Sequence, residues 1–139
     1  MSSFRTVRYG AVSFRTVRYG TVAVAGLSMS PTYNPGDWLL VRWVELKGGG
    51  ARNVPIGVGE VVVFEREEQP GIFYVKRIEK IVSDGTTKYW VTSDNPAGID
   101  SRTWGLIPMS GIRGKVMLRV YKLSERRERK FTKKRNKQA

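Results

Sequence analysis

The 139-residue chain contains neither cysteine nor histidine. Without cysteine it can form no disulfide, no thiolate metal site and no thiol nucleophile. Without histidine, a Ser-His-Asp triad, the usual imidazole base and the commonest zinc ligand are excluded as well. A serine hydrolase built on this chain would therefore need a different base, and we expect neither a metal nor a cofactor.

Long apolar runs are also missing. A membrane-spanning helix needs roughly 20 apolar residues, whereas the longest candidate, TVAVAGLSM at 21–29, is less than half that length. The stretch before it is interrupted by four arginines. We therefore expect no transmembrane segment and no signal peptide in this chain. The prediction is a cytoplasmic soluble protein, or one held peripherally at a membrane by its basic tail.

The formal net charge of +13 is concentrated at the two ends of the chain. Residues 122–139 contain nine Lys or Arg against two Glu, and residues 1–20 contain four Arg and no acidic residue. The remaining residues are close to neutral. A compact nucleic-acid-binding domain is therefore disfavoured, because its basic residues would be expected on the folded domain itself.

The length and the 40% hydrophobic content predict one domain with its own core. The octapeptide SFRTVRYG occurs at 3–10 and again at 13–20, which is too few copies for a solenoid. We expect residues 1–20 to be a peripheral duplicated segment, one copy of which is dispensable. Residues 21–123 form the predicted β-rich domain, and residues 124–139 a basic tail that is disordered or helical.

Short runs of β-branched and aromatic residues, bounded by Gly, Pro, Asn and Asp, indicate strands. No segment between them has the pattern of a long amphipathic helix, and the glycine-rich connection 45–59 predicts a loop. The sequence therefore predicts a mainly-β fold, either a barrel or a coiled antiparallel sheet. The candidate strands are 21–25, 38–44, 60–66, 72–82, 88–93 and 114–123.

Two segments early in the chain combine hydroxyls with turn residues. GLSMSPT at 26–32 contains Ser28, and a lone serine of this kind more often makes a local turn than acts as a nucleophile. PGDWLLV at 35–41 begins with a turn and continues into a strand. Neither segment indicates a function by itself.

Lys76 is more informative because of strand parity. On an extended strand it shares a face with large apolar residues, namely Ile72, Tyr74 and Ile78. A lysine buried on that face would have a lowered pKa, and its neutral amine could then accept a proton from a serine hydroxyl. The opposite face is not purely polar, however. From the strand alone, a lysine that extends its ammonium to water is the favoured alternative.

The segment SDNPAGIDSRTWG at 93–105 concentrates polar and charged side chains: Asp94, Asn95, Asp100, Ser101 and Arg102. A carboxylate beside an arginine most often forms a structural pair that fixes a turn. The spacing does not match a calcium loop. We predict a loop that organises the site rather than one that binds metal.

Taken in order, SMSPT, PGDWLLV, VKRI and SDNPAGIDSRTWG resemble the conserved boxes of the signal peptidase family, the S26-type serine endopeptidases. The resemblance covers most of residues 21–121. Only sixteen residues separate Arg77 from Asp94, so in size the chain is most similar to the nickel-type superoxide dismutase maturation proteases within that family.

The resemblance implies a β-rich catalytic domain that removes an N-terminal leader or propeptide from a protein substrate. Ser28 would be the nucleophile and Lys76 the general base. The backbone N–H of Ser28 would form the oxyanion hole, with Gly26 at the position where some members have a hydroxyl, and Met29 would line the cleft. Asp94, Asn95, Asp100, Ser101 and Arg102 would support the site.

Two departures from the family pattern concern the last box. It begins with Ser93 instead of glycine, and the interval from Asp94 to Asp100 is one residue shorter than usual. The family serine that orients the lysine would fall at Gly98 or Ile99, neither of which has a hydroxyl. Lys76 would then be oriented by Ser93, by Ser101 or by water.

The sequence leaves two alternative functions open. The first is a non-catalytic β module that binds nucleic acid or acidic surfaces through its basic termini. The second is a self-cleaving repressor that also uses Ser and Lys, although the chain shows no separate DNA-binding domain and that group lacks the Asp-Ser-Arg box.

Overall fold

A computed structural model describes residues 6–7, 18–44 and 54–122 of the chain. Most of the duplicated N-terminal segment, part of the glycine-rich loop and the whole predicted tail lie outside these residues. The described part is built almost entirely from strands: β1 Thr6–Val7, β2 Arg18–Ala23, β3 Trp38–Trp43, β4 Val61–Arg66, β5 Gln69–Asp84, β6 Thr86–Thr92, β7 Ile107–Pro108 and β8 Ile112–Tyr121. A single helical turn, α1, covers Ser101–Trp104, and a 3₁₀ turn covers Met109–Gly111.

All the strands belong to one antiparallel sheet with the order β1-β2-β3-β8-β4-β5-β6-β7. Strand β8 pairs with both β3 and β4, so the end of the domain joins its two halves. The mainly-β prediction is confirmed. Of the two architectures expected, the structure has the antiparallel sheet, which is not closed into a barrel among the described residues.

The six predicted strands correspond to β2, β3, β4, β5, β6 and β8. Strand β5 is longer than expected because it continues into a hairpin that turns at Gly85. Strands β1 and β7 have two residues each and were not predicted, since so short a pairing leaves no periodic pattern in the sequence. β1 comes from the first octapeptide and pairs with β2, which begins within the second.

The core lies on both faces of the central strand β4. Val62 and Phe64 pack with Tyr74 and other residues in one cluster, whereas Val61 and Val63 pack with residues of β2 and β3 in another. Successive side chains of a strand point to opposite faces. Because the sheet buries both faces of β4, its neighbour β5 also has buried residues on both faces at its centre.

Candidate active site

The loop between β2 and β3 presents Ser28 from a compact series of turns. The Ser30 N–H donates to the Leu27 carbonyl at 3.0 Å, and the Tyr33 N–H donates to the Met29 carbonyl at 2.9 Å. Gly26 has φ +83°, a backbone conformation that residues with a side chain rarely adopt. These turns leave Ser28 nearly buried, with 6% of its surface exposed.

Met29 anchors this loop. Its side chain is fully buried and belongs to the cluster that includes Val22, Leu39 and Val63. The resemblance placed Met29 at the cleft, whereas the structure places it in the core directly after Ser28. The loop is therefore packed into the core at the residue that directly follows Ser28.

Lys76 lies in the middle of β5, between Tyr74 and Ile78 on the same face, and only 1% of its surface is exposed. The inward orientation predicted from strand parity is confirmed. The alternative favoured from the strand alone, an ammonium that reaches water, is wrong. Residues on both faces of β5 are buried at this point, so the lysine side chain cannot extend along the protein surface to bring its ammonium into water.

The structure brings the two side chains into direct contact: Lys76 Nζ lies 2.6 Å from Ser28 Oγ. The residues are 48 positions apart in the sequence. This distance is that of a short hydrogen bond. A protonated amine donates to Oγ in this geometry, whereas a neutral amine accepts the hydroxyl proton.

Burial lowers the pKa of Lys76 from its ordinary value of 10.5 to about 8, because the charged ammonium loses its hydration. The negative charge of Asp100 acts in the opposite direction. The ring of Trp104 is centred 5.9 Å from Nζ and forms part of the apolar surroundings. An amine with such a pKa is partly neutral near pH 7, as a general base must be.

The segment after β6 holds the nucleophile loop through Asn95. Its backbone N–H donates to the Ser28 carbonyl at 2.8 Å, and its side-chain Nδ2 donates to the Leu27 carbonyl at 3.0 Å. Two consecutive carbonyls around the serine are therefore fixed by one residue.

Asp94 fixes the same segment from the other side. It accepts hydrogen bonds from Arg77 Nε at 2.8 Å and Nη2 at 2.7 Å, and Arg77 also donates to the Gly59 carbonyl. Burial would raise the pKa of Asp94, but the hydrogen bonds from Arg77 and from the Thr32 hydroxyl lower it overall. The pair thus connects β5, which carries Lys76, to the segment after β6, and the Thr32 hydroxyl connects Asp94 to the loop that carries Ser28.

Asp100 is a buried cap of the last segment and pairs with Arg102, whose side chain is exposed. Asp100 precedes α1 and accepts from the Arg102 backbone N–H at 3.0 Å and from its side-chain Nε at 2.9 Å. Its other oxygen accepts from the Ser93 N–H at 2.9 Å. Burial would raise the pKa of Asp100, but these donors lower it overall, so the carboxylate remains charged at neutral pH.

The hydroxyl groups of this segment have backbone partners. Ser101 Oγ accepts from the Val91 N–H at 2.8 Å, and Ser93 Oγ donates to the Ile99 carbonyl at 3.1 Å. Gly98 lies between Ser93 and the nucleophile. A Cβ at Gly98 would come within 2.4 Å of Ser93 Oγ and 2.9 Å of Ser28 Cβ. The shortened segment therefore leaves no space for a side chain at this position.

Comparison with known proteins adds to this geometry. The family model described as signal peptidase, peptidase S26, matches residues 3–85, which include both Ser28 and Lys76. The chain belongs to this family. It is also 33% identical over 119 residues to the mitochondrial ATP-independent inner membrane protease subunit 1a of Arabidopsis thaliana, with 70% of this chain and 68% of the relative covered.

Membership makes the protein a serine protease of the signal peptidase type. Within the described residues, no helix is both long and apolar enough to span a bilayer. In the same part of the chain, no group of three or more acidic residues has the arrangement of a metal site.

Three contributions to the site were not predicted from the sequence. Trp104 lies close to the lysine, Thr32 bonds to Asp94, and Arg119 of β8 donates to the Thr32 carbonyl at 2.8 Å. Trp104 lies two residues after Arg102 of the Asp-Ser-Arg box, so its position could have suggested a role. Arg119 is 87 residues from Thr32, and no local pattern connects them.

Proposed function

We propose that this member of the family is an endopeptidase in which Ser28 and Lys76 form a catalytic dyad that removes an N-terminal leader or propeptide. The observation that carries this proposal is the 2.6 Å contact between a buried amine and a nearly buried hydroxyl. No other base type is needed, which agrees with the absence of histidine from the whole sequence.

The reaction begins with the neutral form of Lys76. Its amine takes the Ser28 hydroxyl proton while Oγ attacks the scissile carbonyl, and a tetrahedral intermediate forms. The resulting ammonium then donates that proton to the leaving amine as the peptide C–N bond breaks. In the second half, Lys76 accepts a proton from water, the water oxygen attacks the ester, and the returned proton regenerates the Ser28 hydroxyl.

The Ser28 backbone N–H is the proposed donor to the oxyanion. It has no acceptor among the described residues, although Ser28 is nearly buried. A buried, unpaired donor is costly unless it serves a ligand or water. Gly26 has no side chain to provide a second donor. The Ser28 N–H would therefore supply a larger share of the electrostatic stabilisation of the oxyanion than it would in a site with two donors.

The substrate would bind as an extended strand beside the nucleophile loop, with small residues next to the cleaved bond. Leu27 and Ile99 are exposed apolar residues on the two segments that flank Ser28. The Arabidopsis relative is a subunit of an inner membrane protease by its name, which supports a protein as the substrate class.

The proposal is tested with synthetic leader peptides that carry small residues near the cleavage position, with products identified by mass spectrometry. Ser28→Ala and Lys76→Met should each lower the rate by about 10³-fold or more. Ser30→Ala removes another serine hydroxyl of the same loop, and Lys80→Met makes the same change at an exposed position of β5. Both controls should cleave as the parent does. If Ser28→Ala and Lys76→Met cleave as well as the parent, the dyad assignment is wrong.

A further inference from the structure

The direction of the Ser28 N–H is set by the peptide group that joins it to Leu27. Peptide groups are planar, and in a trans peptide the carbonyl and the following N–H point in opposite directions. The Leu27–Ser28 bond is trans, since the cis bond of this loop is the one between Ser30 and Pro31. Whatever fixes the Leu27 carbonyl therefore also fixes the Ser28 N–H.

Two donors fix that carbonyl. The Ser30 N–H donates to it at 3.0 Å from within the same turn, and Asn95 Nδ2 donates to it at 3.0 Å from the segment after β6. The first bond belongs to the loop and moves with it. The second comes from a different part of the fold and sets the orientation of the peptide relative to the rest of the site.

Asn95 is itself held firmly. Its Oδ1 accepts from the Ala97 N–H at 3.1 Å, and its carbonyl accepts from the Gly98 N–H at 2.9 Å. Its neighbour Asp94 is bound on two sides by the Arg77 guanidinium. The carboxamide can therefore act as a fixed reference for the nucleophile loop.

We propose that the Asn95 side chain is a positioning residue that aims the Ser28 N–H at the developing oxyanion. This inference rests on the proposed dyad and goes beyond it, because it assigns to one carboxamide the orientation of the main-chain donor. The absence of a side-chain donor at Gly26 makes that orientation decisive for the rate.

The test uses Asn95→Asp, which keeps the acceptor for Ala97 and removes the donor to Leu27. Asn95→Ala serves as an uncharged second variant. Asn34→Asp is the matched control, since Asn34 lies in the same loop and its Nδ2 donates instead to the Pro31 carbonyl. Rates are measured on the high-pH plateau, so that an added carboxylate does not act through the protonation of Lys76.

We expect both Asn95 variants to lower kcat by about 10- to 100-fold with little change in KM, because an oxyanion contact is made in the transition state. A peptide aldehyde, which forms a tetrahedral adduct with the serine, should lose affinity in proportion to kcat. The affinity for an uncleaved peptide of the same sequence should not change. Asn34→Asp should remain within about twofold of the parent in all three measurements.

The outcomes separate the two proposals. If Ser28→Ala is inactive but both Asn95 variants keep the parent kcat and aldehyde affinity, the positioning role is wrong and the dyad stands. If the Asn95 variants change only KM or only thermal stability, the positioning role is also wrong, since that result indicates a structural role. If Ser28→Ala and Lys76→Met remain active, the dyad itself fails.

Discussion

Replacing Lys76 with methionine should make the folded protein more stable at neutral pH, although it removes the proposed base. Methionine has a similar length and no charge to desolvate. The lysine is protonated in the unfolded chain at pH 7, whereas burial in the fold disfavours its charged form and lowers its pKa from 10.5 to about 8. The folded parent therefore carries a free-energy penalty that the variant avoids.

The size of this penalty follows from the two pKa values. A difference between 10.5 and about 8 corresponds to about 3 kcal/mol below pH 8. Losing the 2.6 Å contact with Ser28 costs about 1 kcal/mol in return. Lys76→Met should therefore raise the free energy of unfolding by about 2 kcal/mol at pH 7.

The sign of the pH dependence is the stricter test. Between pH 8 and pH 10.5 the unfolded chain binds a proton that the folded parent does not, so the stability of the parent rises with pH through this window. The advantage of the variant should consequently shrink by about 2–3 kcal/mol between pH 7 and pH 10. Urea denaturation of both proteins at several pH values measures this difference, and Lys80→Met controls for the loss of a surface charge.

An advantage of Lys76→Met that is constant with pH would refute the reasoning. It would mean that the amine has the same pKa in the folded and unfolded states, and hence that folding does not remove the ammonium from water. A variant less stable than the parent at pH 7, by more than the lost hydrogen bond, would refute it as well.

Three further predictions concern the rest of the site. The kcat/KM of the parent should rise about tenfold from pH 7 to pH 9 as the buried lysine loses its proton, and a profile that is flat over this range would contradict the assigned base. Asp94→Asn should lower the free energy of unfolding by about 1–3 kcal/mol, measured by urea denaturation, because it weakens the paired hydrogen bonds from Arg77; an unchanged midpoint would show that this connection is not stabilising. Gly98→Ala should lower kcat/KM by about 10- to 100-fold, since the new Cβ would come within 2.9 Å of Ser28 Cβ and displace the serine. Gly57→Ala is the control and should retain the parent kcat/KM, because a Cβ at Gly57 would make only an ordinary van der Waals contact.

The sequence predicted candidate residues for the site, but it predicted little of their arrangement. The proposal that Ser28 pairs with a lysine base followed from the absence of histidine and from four segments in a characteristic order. The mainly-β fold followed from the strand pattern, which is repeated over six of the eight strands. These properties are encoded locally, in the types of residue and in their alternation along the strand.

Contacts between distant segments could not be read in the same way. The strand pattern alone favoured an exposed amine, and only the packing of β5 between its neighbours places the lysine out of water. The sequence left Ser93, Ser101 and water as candidates for orienting that lysine. In the folded segment, the Ser93 and Ser101 hydroxyls are hydrogen-bonded to backbone groups, and Gly98 lies directly beside Ser28.

The sequence by itself thus determined which side chains are available for the chemistry: a serine, a lysine and an acidic loop, in a β-rich chain without histidine or cysteine. The tertiary structure decided the protonation and direction of those groups. Burial sets the pKa of Lys76, and the carboxamide of Asn95 fixes the peptide that carries the Ser28 N–H. The contact of Lys76 with Ser28 joins residues 48 positions apart, and that of Asn95 with Leu27 joins residues 68 positions apart, so no local pattern specifies them.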